Sequence, residues 1–210
     1  ILFRTKLSEN LFEGLSPWMQ KLPGGLIHVN VVGCALFAAI SGSSAATVAT
    51  VGKMSIPELR KRNYPEKILL GSLAGSGTLG LLIPPSIILI IYGVTVQESI
   101  AKLFIAGIIP GIMIAIIFML YVIVWSLINK KIMPKSFENF SFLEKVKRSK
   151  QLIPVILLIL GVIGSIYTGI ATATEAASLG VVGALILSFF QKSLSLKTFK
   201  KSLLGATKTS

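Results

Sequence analysis

The residues best suited to chemistry here are hydroxyls. Ser41, Ser43 and Ser44 flank Gly42, with Thr47 one turn on, and residues 29 to 52 carry no charged side chain. A second small, polar break follows at Gly75, Ser76, Gly77, Thr78 and Gly80, then Pro84-Pro85-Ser86, inside a stretch uncharged from 68 to 94. Hydroxyl and carbonyl oxygens are hard neutral donors, which suit an alkali cation. Proton relays in membranes typically use Asp, Glu, His, Lys or Arg side chains, and residues 29–52 and 68–94 contain none of these. The chemistry indicated is Na+ binding by neutral oxygens. Ser41, Gly42, Ser43 and Ser44 are expected on one side of the ion, with Gly77, Thr78 and Gly80 facing them. Ser43, Ser44, Thr47, Pro85 and Ser86 are the candidates to line a substrate beside it. Small residues also let helices pack closely, so two breaks in consecutive uncharged segments argue more strongly than any one of these positions.

Positioning such groups takes a particular set of elements. The 210 residues are 53% hydrophobic and 14% charged, with mean hydropathy +0.81. The apolar residues come in long blocks, which indicates an all-α polytopic membrane protein. The net charge of +13 does not indicate nucleic acid, because the basic residues sit in short stretches between apolar segments, the positive-inside pattern. The single cysteine, Cys34, allows no internal disulfide. The chain begins at Ile1 rather than Met and ends in a basic amphipathic stretch, which reads as an internal fragment.

Five regions follow. Residues 1–24 repeat Leu7, Leu11, Leu15 and Trp18 at helical spacing, as expected of an interfacial or connecting helix with Trp18 at headgroup level. Residues 25–94 hold both breaks. The arm Gly25 to Ile40 would reach roughly 24 Å and the arm Ala45 to Met54 roughly 15 Å at 1.5 Å per residue. A span needs about 20 residues, and both flanks are basic, so these arms form a re-entrant helical hairpin with its tip at 41–44. The Pro-Pro segment, where proline removes a donor and clashes with the preceding turn, forms two half-helices meeting near mid-membrane. Residues 95–128 contain a spanning helix at 103–128, 129–151 a basic cytoplasmic loop or surface helix also touching anionic lipid, and 152–210 two membrane helices, 152–167 and 176–190, and the basic stretch. With 53–67, 129–151 and 191–208 placed on the cytoplasmic side, every segment's direction agrees with the Lys/Arg bias.

A re-entrant hairpin facing a broken helix is a recurring device of secondary transporters. A buried-serine protease is the enzyme to weigh, but His28 lies roughly 22 Å of helical rise from Ser43, far beyond hydrogen-bond reach; the expectation is not an enzyme. His28 is expected to be a hydrogen-bonded packing histidine, Cys34 a small buried apolar residue, and Thr172-Ala173-Thr174-Glu175 a capping box.

The runs Ser41-Gly42-Ser43-Ser44-Ala45-Ala46, Gly80-Leu81-Leu82-Ile83-Pro84-Pro85-Ser86, Tyr92-Gly93, Phe104-Ile105-Ala106-Gly107-Ile108-Ile109-Pro110-Gly111 and Thr172-Ala173-Thr174-Glu175-Ala176-Ala177 resemble the large permease subunit of TRAP (tripartite ATP-independent periplasmic) transporters, DctM-like. Ala173 stands where that family usually has proline. The resemblance implies an elevator-type transporter of two inverted repeats, of which residues 25–94 would hold one hairpin and broken helix and 152–210 the start of the second repeat. It implies Na+-coupled import of organic acids such as dicarboxylates or sialic acid. It also implies a small membrane subunit, a periplasmic substrate-binding protein and a bacterial inner-membrane location. It puts the first Na+ site between Ser41–Ser44 and the segment from Gly77 to Pro84. The alternative is a Na+-coupled anion transporter that works without a binding protein.

Overall fold

The computed structural model describes residues 7–134, 140–191, 193 and 195–209, and among these there are helices and no strand. The α-helices are α1 (Leu7–Met19), α2 (His28–Ser41), α3 (Ser44–Lys61), α4 (Glu66–Gly77), α5 (Ile87–Val96), α6 (Ile100–Ile128), α7 (Phe142–Ser149), α8 (Ile153–Tyr167), α9 (Ala173–Phe190) and α10 (Leu196–Thr209). Among the described residues, three continuous stretches are long and apolar enough to cross a bilayer: α6, the run Phe142–Tyr167 and α9. The expected spans at 103–128, 152–167 and 176–190 fall within them.

Local chemistry explains the ends of these helices. Gly42 closes α2 in the left-handed conformation, φ +59°, and its N–H donates to the Ala38 carbonyl. A side chain there is doubly disfavoured, because an added Cβ would lie 2.5 Å from the Pro85 carbonyl oxygen. Ser43 then caps α3, its Oγ accepting from the Ala46 N–H at 3.4 Å. Thr172 and Glu175 form the expected capping box at α9: the Thr172 N–H donates to Glu175 Oε2 at 2.8 Å, and Thr172 Oγ1 accepts from the Glu175 N–H.

Helices α2 and α3 turn on Gly42-Ser43 and pack along each other, and α4 lies against both. Their shared core holds Phe37, Val51, Leu59 and Leu69, with Leu11 and Leu15 of α1. Leu11 and Leu15 therefore face protein, while Trp18 stays partly exposed. Helix α3 continues to Lys61 instead of stopping near Met54, because Leu59 is fully buried in that core. Arg60 and Lys61 then complement the helix C-terminus.

Candidate cation site and cleft at the hairpin tip

The tip meets the broken helix through direct contacts. Ser44 Oγ donates to the Gly77 carbonyl at 2.8 Å. A Cβ added to Gly80 would lie 2.8 Å from the Ser44 nitrogen and 2.9 Å from the Ser43 carbonyl carbon, so only glycine lets the two backbones approach this closely. The Ile87 N–H, the first of α5, donates to the Gly42 carbonyl at 3.4 Å. Within the hairpin, Ser41 Oγ and Thr47 Oγ1 share a hydrogen bond of 2.7 Å. Ser41 Oγ also donates to the Ser43 carbonyl at 3.3 Å.

Electrostatically, this junction joins four helix ends. Helices α2 and α4 end there, and α3 and α5 begin there. Carbonyl ends carry partial negative charge and amide ends partial positive charge, each roughly half an elementary charge. A cation and an anionic group can therefore be held side by side without a formally charged protein group.

The expected site residues do not all contribute in the same way. Ser41, Gly42, Ser43, Ser44, Gly77 and Gly80 come together at the junction. Thr78 does not join them; its side chain is exposed and its hydroxyl donates to the Gly75 carbonyl of its own helix at 2.6 Å. Pro84 is buried with its ring toward Gly107 of α6, and it is the carbonyl of the next residue, Pro85, that approaches the tip. Thr47 is fully buried behind Ser41. Ser76 is also fully buried, and its hydroxyl has no protein partner. Ser86 is buried and closes the break by donating to the Leu81 carbonyl at 2.6 Å.

A cleft of about 420 Å³ opens beside the tip. Ser41, Gly42, Pro85 and Ser86 form one wall, and Val162 of α8 with Ala177 of α9 form part of the other. Of the five candidates for a substrate wall, Pro85 and Ser86 line this cleft, whereas Ser43, Ser44 and Thr47 lie outside its lining.

Some structurally important contacts were not foreseen in the sequence. Asn30 is fully buried, and its Nδ2 donates to Ser72 Oγ at 2.9 Å and to the Leu69 carbonyl at 3.2 Å. A polar amide in an apolar run was the available signal, but its partners lie about forty residues away on α4. The Leu26 N–H donates to the buried Tyr64 hydroxyl at 3.0 Å, tying the start of the hairpin to its far end. His28 Nε2 bonds the Pro23 carbonyl at 2.8 Å, as a packing histidine should.

Residues 1–210 match the sequence model of the tripartite ATP-independent periplasmic transporter, DctM component. The chain belongs to the TRAP transporter large permease family. It is 37% identical over 96% of its length to the C4-dicarboxylate TRAP transporter large permease protein DctM of Pseudomonas aeruginosa, covering 47% of that protein. It is 36% identical over 95% of its length to the sialic acid TRAP transporter permease protein SiaT of Haemophilus influenzae, covering 32% of it. The ectoine/5-hydroxyectoine TRAP transporter large permease protein UehC of Ruegeria pomeroyi is 34% identical over 89% of the chain and is covered for 43%. The chain thus spans less than half of each of these TRAP relatives. TRAP large permeases are membrane transport proteins, not an enzyme family.

Proposed function

We propose that this chain carries the Na+-binding hairpin and broken helix of a TRAP permease that imports a small organic acid. The observation carrying the proposal is the Ser44–Gly77 hydrogen bond of 2.8 Å, with Gly80 against the Ser43–Ser44 backbone. It gathers hydroxyls and carbonyls from two separate breaks at one point. These are the donors a Na+ ion needs, and the donor set fits the ion without a carboxylate. The adjoining N-termini of α3 and α5 supply partial positive charge for a substrate carboxylate. Ser86 and Pro85 lie where such a substrate would enter the cleft.

The hairpin is read as re-entrant. Residues 25–41 cover only about 25 Å of helix, and Lys21 before α2 and Arg60 and Lys61 at the end of α3 flank the hairpin with like charge. Helices α8 and α9 across the cleft are read as part of a scaffold against which the hairpin unit moves in elevator fashion. The relatives named for dicarboxylate, sialic acid and ectoine support a small polar substrate. A periplasmic binding protein delivers it, and a small membrane subunit completes the complex in the bacterial inner membrane.

The test uses the intact transporter in vesicles, with labelled succinate, sialic acid and ectoine as probes. Uptake of one probe should need both a Na+ gradient and the binding protein. Ser43→Ala should raise the Na+ concentration for half-maximal uptake. Uptake driven by a proton gradient with no Na+ present refutes the ion assignment. Uptake undiminished without the binding protein favours the binding-protein-independent alternative.

A further inference from the structure

Helix α7 leads through a short 3-10 turn at residues 150–152 into α8 and forms the charged N-terminal end of the Phe142–Tyr167 run, the end expected at the membrane surface. Its surface is divided. Phe142 and Leu143 are 71% and 81% exposed, and Val146 is exposed beside them. At helical spacing these continue the exposed apolar face of Ile153, Leu157 and Leu160 on α8. Over the same two turns stand Lys145, Lys147, Arg148 and Lys150. The acidic residue Glu144 is engaged at the helix start, where the Ser141 N–H donates to its Oε2 at 2.8 Å.

Helix α1 anchors this corner. Trp18 Nε1 donates to Ser149 Oγ at 2.7 Å, and its ring meets Phe142 edge-on with centroids 6.4 Å apart. The Lys145 ammonium stands 5.4 Å from the centre of the same ring. Glu13, the nearby carboxylate of α1, accepts from Gln151 Nε2 at 3.0 Å. An indole with a satisfied N–H beside lysines and exposed apolar side chains is the arrangement found at the bilayer interface.

We propose that the α1–α7 corner is a binding surface for anionic phospholipid. Phe142, Leu143 and Val146 enter the acyl region, while Lys145, Lys147 and Arg148 extend to the phosphates. Charge complementarity selects this occupant. A protein partner would have to cover an apolar face ringed by cations, whereas an acidic leaflet satisfies both parts at once. The inference needs α8 to be in a membrane and is independent of the ion and substrate assigned above.

The test places a fluorophore on Leu143→Cys in the intact transporter, with other cysteines replaced, in vesicles containing brominated phosphatidylglycerol or brominated phosphatidylcholine at equal mole fraction. The expected result is at least twofold stronger quenching by the brominated phosphatidylglycerol. Lys145→Gln, Lys147→Gln and Arg148→Gln combined should abolish that preference and leave quenching by the phosphatidylcholine unchanged. Equal quenching by both lipids in the unsubstituted corner overturns the selectivity. Absence of quenching by either shows the face covered by protein and overturns the proposal.

Discussion

Ser44 Oγ donates to the Gly77 carbonyl at 2.8 Å across thirty-three residues of sequence. This bond joins the first residue of α3 to the last of α4 and holds the two breaks in register. A typical hydrogen bond contributes about 1 kcal/mol net. If the junction binds Na+, Ser44→Ala should raise the half-saturating Na+ concentration about fivefold. Thr78→Ala should change it much less, because that hydroxyl bonds only its own helix. Na+ titrations of uptake on both variants check this, and a larger effect from Thr78 would move the site toward the exposed side of the break.

Glycine 80 tests the same junction sterically. A methyl there meets backbone atoms of Ser43 and Ser44 at 2.8 to 3.0 Å, and backbone cannot rotate aside as a side chain can. Gly80→Ala should therefore cost on the order of 1–3 kcal/mol and lower both Na+ affinity and the thermal unfolding midpoint. Gly71→Ala, with nothing within 4 Å of its added Cβ, should instead stabilise α4 by up to roughly 1 kcal/mol. Thermal unfolding of the purified variants distinguishes the outcomes; equal behaviour would show that the tip and the break are not packed.

Tyr64 gives a pH-dependent check on the base of the hairpin. Burial pushes its phenol above the ordinary value, while the Leu26 N–H and the nearby Arg62 charge pull it down; the net direction is upward. A group whose pKa is raised by folding contributes stability that is fully present below its unfolded value, about 10, and lost as pH rises through the folded value. The unsubstituted protein should therefore lose stability above about pH 10 more steeply than Tyr64→Phe. At neutral pH the variant should be the less stable, because it leaves the buried Leu26 N–H without its acceptor. Unfolding midpoints of both proteins at neutral and alkaline pH measure the difference, and parallel pH curves would count against the argument.

The sequence by itself determined most of the helical segments, though not the course of α3 on to Lys61, and it determined the two breaks, the Thr172–Glu175 cap and the family. These depend on local patterns: runs of apolar residues, the position of lysines, glycine and proline punctuation, and cap residues three apart. It also determined that the tip chemistry is made of neutral oxygens, since no charged side chain lies in residues 29–52. Only the tertiary structure decided which residues at the second break face the tip. Proline and glycine show that a helix ends but not where each group then points, so Pro84 and Thr78 looked equivalent to their neighbours until the chain's course put the Pro85 carbonyl and Gly80 against the hairpin. The pairing of Asn30 with Ser72, the tie from Leu26 to Tyr64 and the α8–α9 side of the cleft were likewise hidden. Each joins residues dozens of positions apart, and a polar side chain in an apolar helix reveals its need for a partner without identifying it.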